Sequence, residues 1–250
     1  MRTTITRAGT GTGGWEAALT NTLSPGDKVI TFRYGQFSHL WVDMQQRLGL
    51  DVQIIDCPWG DGAHEDKLAE ALKAHPDTKA VCVVHNETAT GITSDIKKVR
   101  ETMDAAGTDA LLLIDGVSSI GALEFKMDDW RVDVAVTGSQ KALSLPTGLS
   151  VVCASEKALG KMESAQLRRV YFDFRCACAR RLQAPRVHAR LATALQSAVV
   201  NALMSCAAHS CMHPAPRSLA TLAGTSSRPT LAAACLTRPS CRCSTASRSR

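Results

Sequence analysis

Val132-Asp133-Val134-Ala135-Val136-Thr137-Gly138-Ser139-Gln140-Lys141 is the stretch on which the reading of this chain turns. Its apolar and β-branched residues predict a buried strand; the glycine breaks it and a lysine follows. Upstream, Leu111-Leu112-Leu113-Ile114 reads as a second strand that ends in Asp115. In an α/β protein the carboxyl ends of the strands border the ligand crevice. Two such ends set an amine and a carboxylate on one rim. A lysine is by residue type most often a solvated surface charge, so its meaning depends on the elements around it.

Outward from that stretch, strands and helices alternate across residues 1–175. Strands are expected at 29–32, 52–55, 80–84, 110–114, 132–136 and 149–153, with β-branched residues 3–6 as a further strand. Helices are expected at 13–21, 38–48, 65–74, 95–106 and 156–165, closed by Pro76 after the third and Gly107 after the fourth. Alternation at this spacing implies an α/β fold with a mostly parallel, doubly wound sheet flanked by helices. Unbroken apolar runs such as Val81-Cys82-Val83-Val84 suit strands covered on both faces.

Ala8-Gly9-Thr10-Gly11-Thr12-Gly13-Gly14 lies between the first strand and the first helix. A helix N-terminus carries unpaired N–H groups and partial positive charge, so a glycine-opened one suits a phosphate, with Thr10 and Thr12 adding hydroxyls. The run also matches Gly-x-Gly-x-x-Gly. A dinucleotide site, however, wants an acidic residue at the end of the second strand, and Arg33 follows there. His85-Asn86-Glu87-Thr88 follows another strand and brings polar groups to the rim; His85 by itself reads as a hydrogen-bonded structural histidine. Ser94 or Asp95 is placed to cap the next helix. Lysine on an aldehyde, an acid on a pyridine nitrogen and a phosphate at a helix N-terminus together make a pyridoxal phosphate site.

Composition changes abruptly near Arg175. Residues 1–175 hold all 23 acidic residues and 19 of the 29 basic ones, a net of −4 inside a chain of +6. Residues 176–250 hold ten arginines, no lysine, no Asp or Glu, no aromatic residue and seven of the ten cysteines. A globular segment of that size would carry roughly ten acidic residues. Arg, Ala, Ser, Pro, Thr and Cys are what a GC-rich coding region yields out of frame. The segment is therefore expected to be frame-shifted and disordered or irregularly helical. A zinc site among its cysteines is disfavoured because no C-x2-C pair occurs, and nucleic-acid binding because aromatic platforms are lacking. No metal and no nucleic-acid partner is expected.

Cys57, Cys82 and Cys153 sit in apolar contexts and read as buried thiols of a reducing compartment. The first residues lack the apolar core of a signal peptide, and the apolar-rich residues 191–208 are interrupted by Gln196, Ser197 and Asn201. A cytoplasmic protein without a membrane partner is expected. A peroxisomal address stays open, although Ser247-Arg248-Ser249-Arg250 is not Ser-Lys-Leu.

Gly13-Gly14-Trp15-Glu16-Ala17-Ala18-Leu19-Thr20-Asn21, Ile114-Asp115-Gly116-Val117-Ser118-Ser119, Gly138-Ser139-Gln140-Lys141-Ala142-Leu143-Ser144-Leu145-Pro146-Thr147-Gly148 and Arg169-Val170-Tyr171-Phe172-Asp173-Phe174-Arg175 resemble the class V aminotransferases, above all the serine–glyoxylate and alanine–glyoxylate enzymes. The resemblance spans residues 8–175. It implies the large domain of a fold-type I pyridoxal phosphate enzyme, transferring the amino group of serine or alanine to glyoxylate to give glycine. It further implies that Lys141 forms the aldimine with the cofactor and shuttles the proton, and that Asp115 pairs with the pyridinium nitrogen. Val117 and Phe37 would flank the ring, Thr10, Gly11, Thr12 and Gln140 would serve the phosphate, and Thr88 would stand near the ring hydroxyl.

Members of that family also have several dozen residues ahead of the glycine loop, a C-terminal small domain with a carboxylate-clamping arginine, and a homodimer partner. Residues 1–175 are thus expected to be an N-terminally shortened cofactor domain, and 176–250 not to be a small domain. An inactive remnant is the alternative reading; a sulfur-transferring lyase is a lesser one, which would want a nucleophilic cysteine on a loop. Reading the coding DNA around codon 175 in the other frames is expected to recover a family-like small domain. Finding none in any frame would overturn the frame-shift account.

Overall fold

Why an alternating pattern becomes one sheet is visible in the computed structural model, which describes residues 3–175. The expectations for residues 176–250, including the zinc and nucleic-acid readings, lie outside the described residues. In chain order the elements are β1 (Thr3–Ala8), α1 (Gly11–Thr22), β2 (Lys28–Arg33), α2 (Gln36–Arg47), β3 (Asp51–Asp56), α3 (Glu65–Ala74), β4 (Ala80–Val84), α4 (Ile96–Ala105), β5 (Leu111–Asp115), β6 (Val134–Gly138), β7 (Leu149–Ala154) and α5 (Glu156–Lys161).

The strands form a sheet of order β1-β7-β6-β5-β4-β2-β3. From β3 to β6 all neighbours are parallel. Every residue of β4, β5 and β6 is buried, as expected of parallel strands covered by helices on both faces. The sheet is not parallel throughout: β7 runs antiparallel to both β6 and β1. Only residues 139–148 link β6 to β7, too few for the helical crossover that a parallel return requires, so the chain folds straight back.

Helix α1 lies directly on β6 and β7 because Gly14 has no side chain. A methyl group there would come within 2.5 Å of both Ser150 Oγ and Val136 Cγ1. The close approach lets Trp15 reach Trp41 of α2, the two rings stacking at 5.7 Å between centroids. The N-terminus of α1 thereby lies over the carboxyl end of the central strands.

Several element ends differ from the sequence pattern, each for a local reason. Helix α1 starts at Gly11, two residues early, because Thr10 serves as its N-cap. Asp95, not Ser94, caps α4, accepting the Lys98 N–H at 3.1 Å. Ser94 Oγ instead accepts the Ala63 N–H and donates to the Tyr34 hydroxyl. Strand β6 begins at Val134, since Asp133 turns to accept Leu112 N–H and the Ser155 hydroxyl. Helix α5 stops at Lys161 rather than 165. There the Arg169 guanidinium donates to the carbonyls of Met162 and Ala165 and to that of Thr20 in α1, binding the segment after α5 to the first helix. Asn21 completes that attachment by donating to Phe172 O and accepting Phe174 N–H.

Candidate active site

The carboxyl ends of β4, β5 and β6 and the N-termini of α1 and α2 meet at one rim. Asp115, the last residue of β5, is 4% exposed, and its carboxylate accepts the Val117 N–H at 2.8 Å. Burial pushes its carboxyl up to about 7. The Val117 N–H pulls it back, the Glu87 carboxylate raises it further, and the Trp15 indole and Lys141 ammonium favour the ionised form. The Trp15 N–H approaches Asp115 without completing a hydrogen bond to any group.

Lys141 lies three residues beyond the end of β6, on a braced loop. Ser139 Oγ donates to Pro146 O and accepts Leu149 N–H, and Ser144 N–H returns to Lys141 O. The lysine side chain is exposed, and its Nζ stands 5.9 Å from the centroid of the Phe37 ring. Phe37 belongs to the first turn of α2, half-buried against the core. The glycine loop closes on the same place: a methyl group on Gly11 would fall 2.6 Å from Val117 Cγ2. Amine, ring, buried acid and glycine-opened helix are therefore neighbours.

The remaining residues named from sequence are placed less tightly. Thr10 caps α1, accepting Gly13 N–H at 3.5 Å, and Thr12 is exposed in the first turn. Gln140 is half-buried with its Oε1 unpartnered. Thr88 is exposed on the loop beyond β4. His85 is structural, as read: its Nδ1 lies 2.8 Å from Ser119 Oγ and its ring packs against Phe125 and Trp130.

Sequence reasoning passed over Gly35 and Tyr34 and placed Glu87 at the rim without a role. Glu87 is fully buried rather than facing ligand, with Phe37 N–H and Ser38 N–H donating to its carboxylate. Its position in the polar run after a strand was legible; its inward direction was not. Among the described residues no cluster of His, Cys, Asp or Glu is arranged to hold a metal, and no helix is long and apolar enough to cross a membrane. Cys82 lies within β4 and Cys153 within β7, and Cys57, on the loop just beyond β3, is buried, so none of these three supplies an exposed loop thiol.

A lysine over an aromatic ring, a buried carboxyl at a strand end and a glycine-opened helix N-terminus on a mixed α/β sheet define the cofactor domain of a pyridoxal phosphate enzyme. The chain belongs to the class-V aminotransferases, matching that family over residues 3–184. It is 59% identical over 171 residues to a serine–glyoxylate aminotransferase of Methylorubrum extorquens, covering 66% of this chain and 42% of that protein. An L-aspartate–glyoxylate aminotransferase of Paracoccus denitrificans is 56% identical over 168 residues, with the same two coverages, 66% and 42%. In three dimensions the chain is similar to an alanine–glyoxylate aminotransferase of Nostoc, with TM-score 0.66 and 35% identity over 71% of this chain and 47% of that one. The chain thus spans less than half the length of the curated relatives it matches.

Pyridoxal phosphate is the cofactor of this family. The residues present fit it. The first N–H groups of α1 and the NH2 side of the Gln140 amide are donors that suit the phosphate end, while Gly11, where a Cβ would meet Val117, lets α1 close on the ring site formed by Asp115, Phe37 and Lys141.

Proposed function

We propose that this chain carries the cofactor domain of a glyoxylate aminotransferase, which passes the amino group of serine or alanine to glyoxylate and yields glycine. The observation that carries the reading is the convergence of Lys141 Nζ on the Phe37 ring beside the buried Asp115. Support for glyoxylate as acceptor comes from relatives whose names share it while their donors differ, serine in one and L-aspartate in another. The donor is therefore the variable part. A cytoplasmic homodimer belongs to the same proposal, as does a domain boundary near Arg175.

Pyridoxal phosphate, when bound, supplies an aldehyde that takes up the amino group and a ring that withdraws electrons from the donor Cα. Thr10, Gly11, Thr12 and Gln140 would hold the phosphate. Phe37 and Val117 would hold the cofactor ring and Thr88 its ring hydroxyl. Asp115, whose carboxyl is pushed up to about 7, keeps a proton available toward the ring nitrogen. Lys141 Nζ would take the proton from the donor Cα and return it on the other side of the transfer.

The full chain mixed with pyridoxal phosphate, serine and glyoxylate is expected to show a visible absorption band and to form glycine and hydroxypyruvate in equal amounts. Soluble protein without the band would sink the cofactor assignment. A band without glycine would favour a second reading, in which the acid-free composition of residues 176–250 marks a chain that holds cofactor but turns nothing over.

A further inference from the structure

Helix α2 carries Phe37 in its first turn, yet its own sequence offers that turn nothing to hold it. Its N-cap is Gly35, which makes no side-chain capping bond, and no acidic residue lies in the first turn. The exposed N–H groups of a helix start need a partner, and a carboxylate is the favoured one. Glu87 supplies it from about 50 residues away. It accepts Ser38 N–H on Oε2 at 3.0 Å and Phe37 N–H on Oε1 at 3.2 Å, while Ala89 N–H also donates to Oε1 at 3.2 Å. The residue is 0% exposed.

The surroundings are shaped to this contact. A Cβ on Gly35 would lie 2.3 Å from Glu87 Cγ and 2.8 Å from its Oε2, so only glycine lets the carboxylate seat. Ser38 Oγ accepts Tyr34 N–H and donates to Gly35 O, closing the turn on itself. The Tyr34 hydroxyl donates to Val84 O at the end of β4, tying the turn that precedes α2 to that strand. The Glu87 loop is braced as well: its N–H donates to Ile92 O and its carbonyl accepts Gly91 N–H. Glu87 thus joins the loop that bears Thr88, the turn that bears Phe37 and, through its field, Asp115.

We propose that Glu87 is a positioning residue of this site: by capping α2 from the β4 loop it fixes the Phe37 ring relative to Lys141 and Asp115, and touches no substrate itself. The inference rests on the site assignment above and adds to it the element that sets the ring-stacking geometry. Helix capping by a charge-assisted pair is worth more than a neutral hydrogen bond, so its loss has a local signature.

The test is Glu87→Gln in the full chain, with Glu87→Asp beside it. Glutamine keeps the size but replaces one acceptor oxygen with an NH2 that faces backbone N–H donors. Without cofactor, amide hydrogen exchange at Phe37 and Ser38 is expected to quicken by about tenfold or more, while amides of β5 such as Leu112 stay as protected as before. With cofactor, the circular dichroism of the visible band is expected to weaken and pyridoxal phosphate to dissociate about tenfold faster, with the aspartate variant between glutamine and the native residue. Unchanged exchange at Phe37 and Ser38 would overturn the proposal, as would acceleration spread equally over the β5 amides, which marks general destabilisation. If Glu87→Gln is insoluble, the aspartate variant is read by the same two criteria. Should the native chain itself bind no cofactor, the site assignment fails while the exchange measurement still decides the capping role.

Discussion

Lys141→Ala is expected to remove the visible cofactor band and to lower glycine formation by about 10^4-fold or more, with the fold unchanged. The two halves of that expectation come from different facts. The lysine lies on an exposed loop outside the sheet, and its Nζ meets the Phe37 ring at 5.9 Å. Removing an exposed contact of this kind costs at most about 1 kcal/mol, so the melting temperature of the cofactor-free chain moves only slightly. The chemical loss is large because Lys141 is the amine placed over Phe37, beside Asp115. Absorption spectra with added pyridoxal phosphate and a thermal melt check both halves. A band that survives the substitution would take the lysine out of the mechanism.

Asp115→Asn is expected to act in opposite directions on activity and on stability. In the cofactor-free chain this carboxyl titrates at about 7, against an ordinary value of 3.8. Between those pH values the folded chain holds a proton that the unfolded chain has lost. The stability contribution is therefore complete below about pH 4, declines as pH rises toward 7, and then levels off. The span is worth on the order of 4 kcal/mol. Glu87, Lys141, Trp15 and the Val117 N–H all face the carboxyl and set that value, with burial the largest cause. Asparagine has no charge to bury, so the variant is expected to lose the pH slope and to exceed the native chain in stability at pH 8. Its glycine formation is expected to fall by about 10^3-fold, because no acid remains opposite the ring nitrogen. Urea unfolding between pH 4 and 9 without cofactor measures the first effect and an activity assay the second. A native chain equally stable at pH 4 and pH 8 would refute the burial argument.

These sites also show which information was local. Lys141 and Asp115 could be named because each follows an apolar run that announces its own strand, and the end of a parallel strand borders the crevice. The glycine loop was legible for the same reason, being punctuation between two periodic segments. Glu87 was visible as a residue at the rim but not as the cap of α2, since its acceptor role requires a helix start some 50 positions earlier to arrive beside it. Nothing in the local sequence marked Gly35; the carboxylate that forbids a side chain there appears only once β4 and α2 are assembled. The antiparallel pairing of β7 could not be read within the mostly parallel sheet, because hydrophobic pattern gives a strand its faces but not its direction.

By itself, the sequence determined the alternating α/β class, the break in composition at Arg175, the glycine loop and the two strand-end residues, all of which are properties of neighbouring residues along the chain. Tertiary structure alone decided the antiparallel β7, the burial that lifts Asp115 to about 7, the meeting of Lys141 with Phe37 and the capping of α2 by Glu87. The division has a physical cause. Strand and helix formation follow from side-chain period and backbone preference, which act over a few residues, whereas desolvation, electrostatic shifts and trans-capping depend on which distant segments the core brings into contact.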